Sequence, residues 1–182
     1  MNKESIEIHA LLEEIALKNS EDALRLLYLS YYKRILRLIH LYVKSEEISR
    51  EIVSDVFMSI WENRNGLLLI DNFDSYIYKI AKYKSLNHLR SNKINTINIE
   101  DISIELFAKT KTTPEDNYIS DETISQINKA IEELPPKCQL AFKLIREDNL
   151  KYKDAAQILG VSVKTIENHL TLAIKKIRSR LK

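Results

Sequence analysis

The chain is predicted to be all-α, built as two small helical domains joined by a linker. Three features carry that expectation. Only two glycines, Gly66 and Gly160, and three prolines occur in 182 residues. That is too few for an all-β protein, whose many turns need residues that accept positive φ. Apolar residues make up 45% of the chain and charged residues 30%, a balance that can bury a core and is not that of a disordered chain. Finally, apolar residues recur at spacings of three and four over most of the length, the helical period. The length fits one domain or two small ones.

The same composition removes several functions. Two glycines 94 positions apart cannot build a phosphate-binding loop. Cys138 is the only cysteine, so neither an internal disulfide nor a cysteine-based zinc site can form; it is expected to be a buried structural thiol rather than a redox sensor. His9, His40, His88 and His169 show neither HExxH spacing nor obvious carboxylate partners, and no GxSxG motif occurs. No cofactor, metal or enzymatic activity is expected. The opening MNKESIEIHA lacks the apolar stretch of a signal peptide. No apolar run approaches the roughly 18–20 residues of a membrane span. A soluble cytoplasmic protein is expected, with no direct membrane insertion.

Residues 1–24 carry six acidic and two basic side chains and no motif that assigns them a role. Next comes a helix with Leu24, Leu27, Tyr31, Ile35, Leu38 and Ile39 on one side. Ser45 followed by Glu46 and Glu47 is a helix start, an N-cap oxygen with first-turn acids that complement the macrodipole. The helix it opens shows Ile48, Ile52, Val53, Val56, Phe57, Ile60 and Trp61 as a continuous apolar stripe, expected to pack antiparallel against the preceding one. Its opposite face, Glu51, Ser54, Asp55, Met58 and Glu62, suits either solvent or a basic helical partner.

Asn65-Gly66 then introduces Leu67, Leu68, Leu69 and Ile70, a run that is either buried or an exposed loop gripping something apolar. Phe73-Asp74-Ser75 opens a third helix, with Asp74 or Ser75 as N-cap. Ile77, Ile80, Ala81 and Leu89 can face the core. Lys79, Lys82, Tyr83, Leu86, Asn87 and Arg90 recur at three- and four-residue steps on another face. Cations interleaved with an aromatic and an amide describe a nucleic-acid surface, where charge holds phosphates and Tyr83 and Asn87 stack on or bond to bases.

Residues 94–121 hold the turn-rich KTKTTPEDN and are expected to be an acidic linker between domains 1–93 and 122–182. Ile124, Ile127, Ile131 and Leu134 make a short amphipathic helix ended by Pro135-Pro136, and the second proline starts the next helix. In LKYKDAAQILGVSVKTIENHL, a short helix with Ala155, Ala156, Ile158 and Leu159 stops at Gly160. Val161 is expected to plug the turn, and Ser162 to cap a helix that buries Val163, Ile166, Leu170, Ala173, Ile174 and Ile177. Small alanines, a glycine and an apolar plug at this spacing are the signature of a helix-turn-helix. Lys164, Thr165, Glu167, Asn168 and Thr171 then occupy the end that enters a major groove. Asn168 can pair with adenine and Lys164 can reach guanine or phosphate. Lys175, Lys176, Arg178 and Arg180 suit backbone contacts.

Charge is sorted along the chain. Residues 76–93 carry five cations and no acid, residues 94–133 nine acids against three cations, and residues 143–182 ten cations against four acids. Two basic segments around an acidic one suit two contacts with a polyanion, although solvated helix faces would carry similar charge.

EIVSDVFMSIW, NFDSYIYKIAKYKSLNHLR and IEELPPKCQLAF…LKYKDAAQILGVSVKTIENHL together, in that order, resemble the extracytoplasmic-function (ECF) sigma factors of bacterial RNA polymerase, a branch of the sigma-70 family. The resemblance implies sigma region 2 before the linker and region 4 after it. It implies core RNA polymerase as partner, through the β′ clamp helices and the β flap, with Glu51, Ser54, Asp55 and Met58 on the clamp-docking face. Phe73, Tyr76, Lys79, Lys82, Tyr83, Leu86, Asn87 and Arg90 would melt the −10 promoter element and capture a flipped base. The surface from Lys164 to Thr171, with Lys175 and Lys176, would read the −35 element, and an anti-sigma factor is an expected partner. The sequence departs from the family pattern at Ser54, Tyr83 and Asn87, where Gln, Asn and Asp are usual. An alternative is a stand-alone helix-turn-helix operator-binding regulator; another is a helical interaction protein with no DNA role.

Overall fold

The computed structural model describes residues 3–91 and 121–180. Among these, every regular element is a helix. The chain divides into two compact units, Met1–Thr96 and Ile97–Lys182, each with its own core. Apart from Asp121, the expected linker 94–121, with its loosely alternating isoleucines, lies outside the described residues.

The first unit contains α1 (Lys3–Lys18), α2 (Glu21–Val43), α3 (Glu46–Glu62), a 3-10 segment (Arg64–Leu69) and α4 (Phe73–Ser91). The expected apolar stripe of α2 is buried from Leu27 to Ile39 against those of α3 and α4. Ser45 caps α3 as expected, its Oγ accepting from the Ile48 amide at 3.3 Å. The N-terminal segment acquires a structural role: α1 buries Leu12 and Ile15 and packs on both α2 and the 3-10 segment. Arg64 ties that packing together. Its Nε donates to Asn19 Oδ1, and its guanidinium lies 4.7 Å from the Trp61 ring centre.

The leucine run resolves into both of its expected alternatives. Leu67 is buried, whereas Leu69 is 86% exposed, because a 3-10 turn sends successive side chains in different directions. The start of α4 corrects the expected cap. Asn72, not Asp74 or Ser75, supplies it, its Oδ1 accepting from the Ser75 amide at 2.9 Å. Asp74 instead accepts from the Tyr31 hydroxyl at 2.7 Å, fastening α4 to α2. Asn72→Ala is therefore expected to cost about 1 kcal/mol, the usual worth of a cap. A melting temperature lowered by a few degrees would show it, with Asp74→Asn as the comparison.

The second unit contains α5 (Asp121–Glu132), α6 (Pro136–Phe142), a single π-helical turn (Lys143–Glu147), α7 (Tyr152–Leu159) and α8 (Val163–Arg180). Pro136 occupies the first turn of α6, where its missing N–H costs nothing. The buried Gln139 amide donates to the carbonyls of Ile131 and Glu132 at 3.0 and 2.6 Å, satisfying the C-terminus of α5. Leu134, Cys138 and Ala173 form a buried cluster, with Ile131, Phe142 and Ile177 packed against it.

Gly160 ends α7 in the left-handed region at φ 73°, and Ser162 caps α8 through the Thr165 amide at 3.0 Å, as the helix-turn-helix pattern predicts. Two expectations fail in the turn. Val161 and Val163 are 37% and 41% exposed, because the burial α8 needs begins only at Ile166.

Candidate nucleic-acid interfaces

In the first unit, α4 presents its expected face unevenly. Lys79, Tyr83 and Arg90 are exposed, Tyr83 at 64%, while Tyr76, Lys82, Leu86 and Asn87 are half-buried. Burial pushes the Lys82 ammonium below its ordinary value. Phe73 is corrected outright: it is only 7% exposed and meets the Tyr31 ring edge-to-face at 5.5 Å, so it builds the core and offers no stacking surface. An aromatic beside an N-cap reads the same whether it turns inward or outward.

On α3, Glu51, Ser54, Asp55 and Met58 are all exposed, Met58 at 56%. Spaced three and four apart, they share one arc of the helix, with Asp55 at its edge. Asp55 lines a cleft of about 680 Å³ between α3 and α4, to which Glu51, Ser54 and Met58 do not contribute. The cleft also brings together residues that sequence reasoning passed over: Ser59 from α3, Asn63 at its C-cap, and Lys84 from α4. Four-residue spacing signals that Glu51, Asp55 and Ser59 share a line along α3, but not what stands opposite.

In the second unit, Lys164, Glu167 and Asn168 stand exposed on the first turns of α8, with Lys164 Nζ 3.0 Å from Glu167 Oε2. The other two expected readers are turned to local structure. The Thr165 hydroxyl lies 2.8 Å from Ser162 Oγ, and Thr171 Oγ1 donates to the Glu167 carbonyl at 2.8 Å. Lys175 is exposed. Lys176 is corrected in part: its Nζ donates to the Glu133 carbonyl at 2.9 Å, while Arg180 pairs with the Glu133 carboxylate. These two cations fasten α8 to the end of α5, a contact across some forty positions that no local pattern announces.

Cys138 is buried, with Sγ 3.7 Å from His169 Nδ1. Burial pushes its thiol pKa up, against a smaller downward pull from Lys176. Burial, then Lys137, push His169 down, so this pair is a thiol beside a neutral imidazole at pH 7. Iodoacetamide should therefore alkylate the native protein far more slowly than the urea-unfolded chain; equal rates would contradict this placement. His9, expected to lack a carboxylate partner, lies 3.4 Å from Glu13 on the exposed side of α1. Among the described residues, no cluster of potential metal ligands occurs, and no helix is long and apolar enough to cross a membrane.

A helix-turn-helix in one unit and a cationic, aromatic helix face in the other define a bipartite helical DNA-binding protein. Comparison with known proteins narrows that class. Residues 27–94 match the family Sigma-70 region 2, and residues 124–177 match Sigma-70, region 4. The ECF RNA polymerase sigma-E factor of Escherichia coli is 23% identical over 171 residues, covering 90% of this chain and 89% of that one. The RNA polymerase sigma-H factor of Pseudomonas aeruginosa is 24% identical over the same length and coverage. Among solved structures, CnrH in complex with the cytosolic domain of CnrY superposes with a TM-score of 0.60 at 15% identity, covering 95% of this chain and 96% of that one. RpoE of Bartonella quintana, in complex with the anti-sigma factor NepR, gives 0.62 at 17% identity, covering 86% and 95%. The chain belongs to the sigma-70 family and is an RNA polymerase sigma factor of the ECF type.

Proposed function

We propose that this sigma factor directs core RNA polymerase to promoters by three separate surfaces. The domain limits 1–93, 94–121 and 122–182 separate region 2, an acidic connector and region 4. Glu51, Ser54, Asp55 and Met58 dock α3 on the β′ clamp helices, and the second unit sits by the β flap. Lys79, Lys82, Tyr83, Leu86, Asn87 and Arg90, with Tyr76, hold the opened −10 element, and Lys164, Glu167 and Asn168 read the −35 element. Unstacking a base costs a few kcal/mol, and stacking on an aromatic such as Tyr83 returns about 1–3 kcal/mol.

The observation that carries this reading is the pairing of an exposed Lys79–Tyr83–Arg90 face with a capped recognition helix, in two units of one chain. The chain contributes no chemistry of its own and acts in the cytoplasm, where the polymerase is. An anti-sigma factor is a further partner, supported by the complex in which the Bartonella quintana RpoE was solved.

In vitro transcription tests the proposal. Added to core polymerase, the chain should confer initiation at a defined set of promoters. Sequence-specific duplex binding without polymerase association would favour an operator-binding regulator instead. Association with neither would favour an interaction protein.

A further inference from the structure

We propose that the α1–α2 hairpin is a self-complementary docking surface for a second copy of this chain. The acidic, apolar face of α1 in one copy meets the cationic, leucine-bearing face of α2 in the other, and the reverse. The inference stands apart from the promoter reading and concerns α1, which lies wholly before the residues matched to region 2.

Both faces are built at helical steps and both look into solvent. On α1, Ile6, Ala10, Glu13, Glu14 and Leu17 follow one another three or four residues apart, with Glu7 beside them, all exposed while Leu12 and Ile15 are buried. On α2, Arg25, Leu26, Leu29, Lys33 and Arg37 are exposed in the same way while Leu27, Tyr31 and Ile35 are buried. Ile6, Leu17, Leu26 and Leu29 are 53–71% exposed, so each helix holds two large apolar side chains in water among its charges. Those charges are of opposite sign. From Ala23 to Ser45 the chain has Arg25, Lys33, Arg34, Arg37 and Lys44 and no acid, whereas α1 exposes Glu7, Glu13 and Glu14 against Lys18.

One copy cannot join its own two faces. Leu12 and Ile15 hold α1 on the core of the first unit. The Ser20 amide donates to the Glu14 carbonyl at 3.3 Å, and Asn19, at φ 51°, receives Arg64 Nε, so the hairpin turn is fixed. A two-fold pair places α1 on α2 twice, because such an interface is made by the same patch on both copies. The apolar side chains then cover one another while Glu7, Glu13 and Glu14 face Arg25, Lys33 and Arg37, and that complementarity sets partner and orientation. The existing local partners yield easily. Glu14–Lys18 at 2.8 Å and His9–Glu13 at 3.4 Å are exposed pairs one turn apart, which contribute little.

Sedimentation of the full chain over a concentration series tests the pairing. The mass should pass from 21.3 kDa to twice that as concentration rises. Arg25→Glu with Lys33→Glu turns the α2 face acidic, and Glu7→Lys with Glu13→Lys and Glu14→Lys turns the α1 face cationic. Each set should weaken the pair about a hundredfold, because like charges then lie opposite. All five positions are exposed, so helicity by circular dichroism should be unchanged. Mixing the two sets should restore a dimer of one copy of each, since each supplies the face the other needs. A chain monomeric at every concentration, a dimer indifferent to both sets, or mixed variants that stay monomeric overturns the proposal. So does a monomeric parent that binds phosphatidylglycerol vesicles and loses them in Arg25→Glu with Lys33→Glu, which would give the α2 face to lipid.

Discussion

Asp148→Ala is expected to cost the second unit about 3–5 kcal/mol, the penalty for breaking a buried ion pair. Lys143 and Asp148 are 3% and 9% exposed, and the ammonium donates to both carboxylate oxygens at 2.9 and 2.8 Å. The Asp148 amide closes back on the Lys143 carbonyl at 2.9 Å, so the π-helical turn and the ion pair hold each other. Glu147 lies 3.9 Å from the same ammonium but is partly exposed, and it cannot replace a buried bidentate partner. Removing the carboxylate takes the bidentate partner from a buried cation, and a small domain has only about 5–15 kcal/mol in total. In urea unfolding followed by circular dichroism, the transition of the second unit should move to much lower denaturant while that of the first stays in place. Lys143→Met combined with Asp148→Leu should cost less than Asp148→Ala, because the penalty comes from keeping a buried charge without its bidentate partner rather than from the lost attraction. A single variant no worse than the exposed Glu46→Ala would refute this account of the π turn.

The largest functional loss is expected from Lys164→Ala combined with Asn168→Ala. Each base contact is worth about 1–3 kcal/mol, so the pair should lower initiation at an upstream-dependent promoter by roughly a hundredfold. The loss should be selective. The double variant should use promoters with intact and scrambled −35 elements equally poorly, because what it loses is discrimination. Lys175→Ala offers the contrast of an exposed cation on the later part of α8. It should weaken duplex binding uniformly across sequences and lower the salt slope by about one. Undiminished preference for the intact element in the double variant would remove Lys164 and Asn168 from base reading. Lys164 also pairs with Glu167 at 3.0 Å, so its loss frees a carboxylate on the same surface. The two positions are therefore coupled, and Glu167→Gln should partly restore binding to Lys164→Ala.

Local chemistry was legible wherever a short stretch satisfies its own backbone. Ser45 and Ser162 cap α3 and α8 because a side-chain oxygen and an amide three residues on are brought together by helix geometry alone. Gly160 closes α7 for the same kind of reason, a φ of 73° that few side chains tolerate. Asn72 was missed although it lies one residue outside the expected helix, since Asn, Asp and Ser are all competent caps. Only the register of the first turn chooses among them.

Side-chain direction at element ends was the less legible part. Phe73 reads as an aromatic at the start of a basic helix; the ring of Tyr31 on another helix draws it inward. Lys176 and Arg180 read as phosphate ligands until Glu133 is found beside them. In each case the deciding partner is more than forty residues away.

Composition and period set the helical class, the two cationic segments and the identity of the recognition helix, because these follow from interactions within a few residues along the chain. Packing decided that the Asp55 edge of the exposed α3 arc borders a cleft against α4, and that Lys143 is buried on a carboxylate. A helix offers every side chain a direction, but which direction meets another wall depends on the helix that packs beside it.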